Sequence, residues 1–129
     1  MTATEIIKWI HLLAAATWTG GLIVLAGIVP SLRKAGADRS ILQAAARQFG
    51  RLSWTALAVA VATGVLMVIR LGWPWSRLDL KIILVAAAAI LALAHQLTAR
   101  RTGPAVRGVL QAAILVVSIA IFGAAVALT

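Results

Sequence analysis

The chain has 129 residues, 63% of them hydrophobic and 12% charged, with 12 Lys+Arg against 3 Asp+Glu and a formal net charge of +9. A soluble domain is nearer half apolar, so most of this surface is expected to face lipid rather than water, in one domain covering 1–129. The cations sit in the short gaps between apolar runs, where they set topology and touch anionic head groups rather than nucleic acid; with no cysteine, a disulfide, a thiolate ligand and an iron–sulfur site are excluded.

The first apolar run, residues 9–29, carries no charge except what His11 takes up. Residues 1–8 lack a basic n-region and no small-residue cleavage site follows, so the run is expected to be a retained span rather than a signal peptide. A helix needs about 20 apolar residues to cross the hydrocarbon core. Four segments qualify: 5–29, 50–71, 80–99 and 106–128. Lipid cannot satisfy backbone groups, and uninterrupted runs such as Ile82 to Ala94 lack the alternation of barrel strands. The predicted class is therefore all-α: a polytopic membrane protein forming a four-transmembrane-helix antiparallel bundle.

Punctuation supports the four elements. Thr2 with Glu5, and Ser76 with Asp79, have capping-box spacing. Pro30 is expected to close the first helix, Gly72 and Pro74 the second, and Gly103-Pro104 to separate the third from the fourth. The connection 30–49 is then the longest. Its stretch 37–49 puts Ile41, Leu42, Ala45 and Phe49 on one side and reads as an extension of the second helix or a short surface helix.

Orientation follows from the basic residues. Loops 1–2 and 3–4 share one side and hold Arg33, Lys34, Arg39, Arg47, Arg51, Arg100, Arg101 and Arg107, against Lys8, Arg70, Arg77 and Lys81 on the other. Eight against four places the first set in the cytoplasm and both termini outside. Trp9, Trp73 and Trp75 then form an outer aromatic belt.

An ionisable group at membrane depth is a functional-site candidate by default. His11 lies about 9 Å inside the start of its helix and shares a face with Ala14, Ala15, Trp18 and Gly21 or Leu22. Gly20, Gly21 and Gly27 are expected to let a neighbouring helix approach closely. His11 either holds a ligand or proton, or only hydrogen-bonds across helices. Met67 reaches a similar depth on the antiparallel second helix, and His with Met is a legitimate pair for copper(I) or haem iron. Met67 is otherwise core filler or lipid-facing.

On the third helix, Lys81, Val85, Ala88, Ala92 and His95 form one stripe. Its small residues leave room for a polar path bracketed by Lys81 and His95, or for a close neighbour. His95 otherwise marks the interface above Arg100 and Arg101. His11 and His95 are offset by about 15 Å along the normal, so they do not share one iron. Arg47 and Arg51 are placed at the inner mouth of the second helix, with Arg51 snorkelling to phosphate. Thr55, Thr63 and Gly64 read as packing or interhelical hydrogen-bond positions. No carboxylate pair or phosphate loop sits within the spans, so no catalytic set is assigned.

The order of His11-Leu-Leu-Ala-Ala-Ala-Thr-Trp18-Thr-Gly20-Gly21, Arg47-Gln-Phe49-Gly-Arg51-Leu, Ala62-Thr63-Gly64-Val-Leu, Leu80-Lys81 and Ala105-Val-Arg107 resembles the membrane domain of the copper resistance protein D (CopD) family over nearly the whole chain. The resemblance implies a bacterial inner-membrane helical protein of copper import or tolerance, with His11 matching the family's first-helix histidine. A weaker resemblance, to HemJ-type protoporphyrinogen oxidases, which also place a histidine early in the first helix and a lysine at the start of the third, implies haem b and redox chemistry with His11 as axial ligand; Lys81 and His95 are the further cofactor-binding candidates. The expected partners are the lipid bilayer and either further copies or a larger membrane complex in which the chain is an accessory subunit.

Overall fold

The computed structural model describes residues 1–98, 101 and 103–128. Helices make up nearly all of it, and the described residues contain no strand. In chain order they are α1 (Ala3–Lys34), α2 (Arg39–Leu71), a 3₁₀ turn (Trp75–Leu78), α3 (Asp79–Thr98) and α4 (Pro104–Leu128). Four segments, Ala3–Lys34, Arg39–Leu71, Trp75–Thr98 and Ala105–Ala127, are long and apolar enough to cross a membrane. The chain is an all-α polytopic membrane protein. It divides into two compact units, Met1–Trp73 and Pro74–Thr129.

The first unit is an antiparallel hairpin of α1 and α2. Its start follows the sequence: Thr2 accepts from the Glu5 amide at 3.2 Å, and Glu5 accepts from the Thr2 amide at 2.7 Å, closing a capping box. Its turn does not. Pro30 lies inside α1, which continues to Lys34, and the connection shrinks from the expected 30–49 to the few residues before Arg39. Proline removes one backbone donor, and the helix resumes because the real stop lies further on, at Gly36. Gly36 adopts φ 84, the Ala37 amide donates to the Leu32 carbonyl and the Gly36 amide to that of Arg33. That is a Schellman motif, in which glycine supplies the left-handed residue. The stretch 37–49 is accordingly a continuous extension of α2. At the far end of α2, Gly72 has φ 65 and its amide donates to the Val68 carbonyl, the stop that the sequence signals.

The core of this hairpin is confined to Ala14, Trp18, Thr19 and Leu22 of α1 and Ser53, Ala56, Thr63 and Val68 of α2. Hydroxyls inside the spans satisfy themselves on their own helix. Thr17 donates to the Leu13 carbonyl, Thr55 to that of Arg51 and Thr63 to that of Val59. Such back-bonding removes an unmet donor where no water is at hand.

The second unit pairs α3 with α4. Ser76 does not cap α3; it sits inside the 3₁₀ turn Trp75–Leu78, closed by the Arg77 amide on the Pro74 carbonyl at 3.1 Å. That turn already supplies the bends preceding α3, and Asp79 becomes the first residue of α3. α4 starts at Pro104, two residues earlier than expected, since proline at the first helical position loses only an amide that the helix would leave unbonded. The α3 end expected at 99 falls outside the described residues. Ala88 on α3 and Ile114, Ser118 and Ala124 on α4 are buried, with Ser118 donating to the Ile114 carbonyl.

Candidate functional site

His11 stands about two turns into α1, half-buried, with its ring against α2. Its Nδ1 lies 2.8 Å from the Ala60 carbonyl oxygen and 3.1 Å from Thr63 Oγ1. A carbonyl oxygen only accepts, so Nδ1 carries the proton and donates to Ala60. The Thr63 hydroxyl sends its own proton to the Val59 carbonyl at 2.6 Å, which leaves its oxygen to accept a second share of the Nδ1 proton. In the neutral ring this bond selects the Nδ1–H tautomer, with its lone pair on Nε2. Gly64 permits this seating, because a Cβ there would come within 3.2 Å of His11 Cε1.

The rest of the His11 face also turns to α2. Trp18 is 5% exposed and meets Trp54 edge to face, ring centroids 6.4 Å apart. A Cβ at Gly21 would fall 2.9 Å from the Phe49 ring, so helix approach there depends on glycine. Gly20 and Gly27 correct the sequence reading: a Cβ at either meets nothing within 4 Å.

Met67 is half-buried and one turn beyond Thr63 on the same side of α2. Ala60, Thr63 and Gly64 lie against the His11 ring, and Met67 stands one turn beyond Thr63 on α2. The described residues contain no group of three or more His, Cys, Asp or Glu able to hold a metal.

In the second unit the stripe of Lys81, Val85, Ala88, Ala92 and His95 is the buried side of α3, with Ala88 fully closed at 0% exposed. The small residues serve close packing in the middle of the stripe, between Lys81 and His95. Lys81 and His95 are each half-buried. His95 Nδ1 is a buried atom with no hydrogen-bond partner among the described residues.

Of the charged positions, Arg47, Arg51 and Arg101 are exposed, and Arg100 lies outside the described residues. Arg70 reaches across the first hairpin to Thr4 Oγ1 at 3.2 Å. Sequence reasoning missed the Ala60 carbonyl, since a backbone acceptor leaves no mark on residue type. It also missed Phe49 as the partner of Gly21. The apolar position of Phe49 on the α2 extension was visible, but its level depends on the hairpin register.

The four membrane-length helices and the polar seam of the first hairpin define an integral membrane protein. No protein-family model matches the chain, and no solved structure matches it. The chain is similar to "Putative membrane protein SCO5905" of Streptomyces coelicolor, with 33% identity over 99 residues. That alignment takes in 74% of this chain and 10% of the relative, so the chain spans about a tenth of the protein it resembles.

Proposed function

We propose that the chain is a CopD-type module of a bacterial inner membrane, with both termini outside, that binds or passes copper at His11. The observation that carries this reading is the Nδ1–H···O=C bond from His11 to Ala60. Histidines that bind metal through one nitrogen characteristically donate the other N–H to a carbonyl or carboxylate, which fixes the tautomer and the ring. Here that bond puts the ligating lone pair on Nε2. Helical side chains lean toward their own N-terminus, which carries His11 and Met67 toward each other in an antiparallel pair. Imidazole and thioether together suit copper(I).

A second reading is an accessory subunit of a larger membrane complex. The same hydrogen bonds tie α1 to α2, and the similar Streptomyces protein is far longer than this chain. The haem b alternative uses the same Nε2.

Copper loading of the purified chain, with metal analysis and an absorption spectrum, decides among them. Copper retained by wild type and lost in His11→Ala, with helicity unchanged, supports the copper site. A Soret band that vanishes in His11→Ala transfers the site to haem. Wild type that takes up neither leaves the accessory-subunit reading.

A further inference from the structure

Four cross-helix contacts fix the register of the first hairpin. Thr4 meets Arg70, His11 meets Ala60 and Thr63, Trp18 meets Trp54, and Gly21 faces Phe49. Partner numbers therefore add to between 70 and 74, which sets Arg51 level with roughly residues 19–23 of α1. The sequence alone put Arg51 at the mouth of the membrane. The register sets it level with the middle of the charge-free stretch of α1, which runs from Trp9 to Leu32.

The consequence is a short apolar belt. Exposed Lys8 on α1 and exposed Arg51 on α2 bound the levels at which both helices are free of charge. These levels are about 11–15 residues apart, or roughly 17–22 Å of helical rise. A hydrocarbon core is about 30 Å thick. The hairpin itself is longer than the core, since α1 and α2 have 32 and 33 residues. The mismatch thus lies in where its charges sit. A belt too short for the core is met by snorkelling or by local thinning of the bilayer.

Within the first unit Arg51 has no carboxylate to meet. In this unit Glu5 closes the cap at Thr2, and Asp38 lies about 20 Å away along α2. Arg47 is one turn from Arg51 on the same side of α2 and is also exposed. Two guanidiniums one turn apart present paired N–H forks, a geometry suited to phosphate oxygens. At this level the phosphates within reach of a snorkelling side chain belong to lipid. A second copy docked symmetrically here would oppose cation to cation.

We propose that Arg47 and Arg51 hold a phospholipid phosphate drawn below its usual level on the lipid face of α2, thinning the bilayer beside the first hairpin. The site is independent of copper binding.

The test uses the full chain in phosphatidylglycerol nanodiscs of graded acyl-chain length, with thermal stability and lipid retention by native mass spectrometry as readouts. Wild type should be most stable in the thinner discs and should carry phosphatidylglycerol out of the bilayer. Arg51→Leu extends the belt to Arg47, about 6 Å further, so its optimum should move to longer chains. Its retained lipid should fall about tenfold, because one of two guanidinium forks is gone. Arg51→Gln gives the same readouts if the leucine variant does not fold, and Arg51→Lys should keep the thickness optimum with weaker retention. An unchanged optimum and unchanged retention in Arg51→Leu or Arg51→Gln would overturn the proposal. Displacement of the lipid by excess inorganic phosphate would assign the site to a free anion and overturn it equally.

Discussion

His11 Nδ1 donates to the Ala60 carbonyl at 2.8 Å across 49 positions of sequence, and Thr63 Oγ1 shares the proton at 3.1 Å. One backbone acceptor on α2 thereby decides the tautomer of the histidine on α1. Interhelical hydrogen bonds of this kind in membranes are worth about 0.6 kcal/mol on average, with an upper end near 1.7. Replacing His11 by alanine should therefore cost about 1 kcal/mol, too little to unfold the hairpin. Steric-trap or detergent-unfolding measurements check this. A loss of several kcal/mol would make His11 chiefly structural.

The Thr63 contact is the weaker of the two. Thr63→Val keeps the shape and removes an oxygen that accepts from His11, while the Ala60 carbonyl remains. The Nδ1–H tautomer should persist, read by 15N chemical shifts of the imidazole, and stability should change by about 1 kcal/mol or less. A switch to the Nε2–H tautomer would show that Thr63, not Ala60, holds the ring.

Gly64 sets the distance between the ring and α2. A Cβ there would stand 3.2 Å from His11 Cε1, tight enough that the ring must shift by tenths of an ångström. Gly64→Ala should perturb the imidazole signals and weaken copper retention with little loss of fold. Gly64→Val should break the Ala60 bond. Wild-type spectra from both variants would mean that the ring is seated elsewhere.

Two adjacent glycines should behave differently. At Gly21 a Cβ would fall 2.9 Å from the Phe49 ring, so Gly21→Leu should destabilise the hairpin by about 1–3 kcal/mol, the cost of overpacking. At Gly20 nothing lies within 4 Å, so Gly20→Ala should be tolerated and should gain up to about 1 kcal/mol of helix propensity. Thermal melts of the two variants in one detergent make the comparison. Equal effects would contradict the facing of α1.

Cysteine scanning tests the orientation. With both termini outside, cysteine at Ala37 or Gly103 should resist impermeant thiol reagents in intact cells, while cysteine at Trp75 should react. The reverse pattern would invert the topology that the basic residues imply.

Much of this molecule was open to reading in one dimension. Apolar runs of membrane length give four helices because lipid offers the backbone no other partners. The Thr2–Glu5 cap and the Gly72 stop depend on residues three or four apart, so they too were visible. Pro30 misled because proline is a strong local signal, whereas the actual stop at Gly36 works through a left-handed glycine whose bonds reach back to Leu32 and Arg33. What only the tertiary structure decided is the register between α1 and α2. It joins His11 to Ala60 and Thr63, makes Gly21 a contact glycine while a Cβ at Gly20 would meet nothing within 4 Å, and sets Arg51 level with roughly residues 19–23 of α1. Residue type fixes which groups prefer the membrane. The level at which two helices meet is set by side-chain packing between distant segments, Trp18 on Trp54 and Phe49 on Gly21, and no local pattern encodes it.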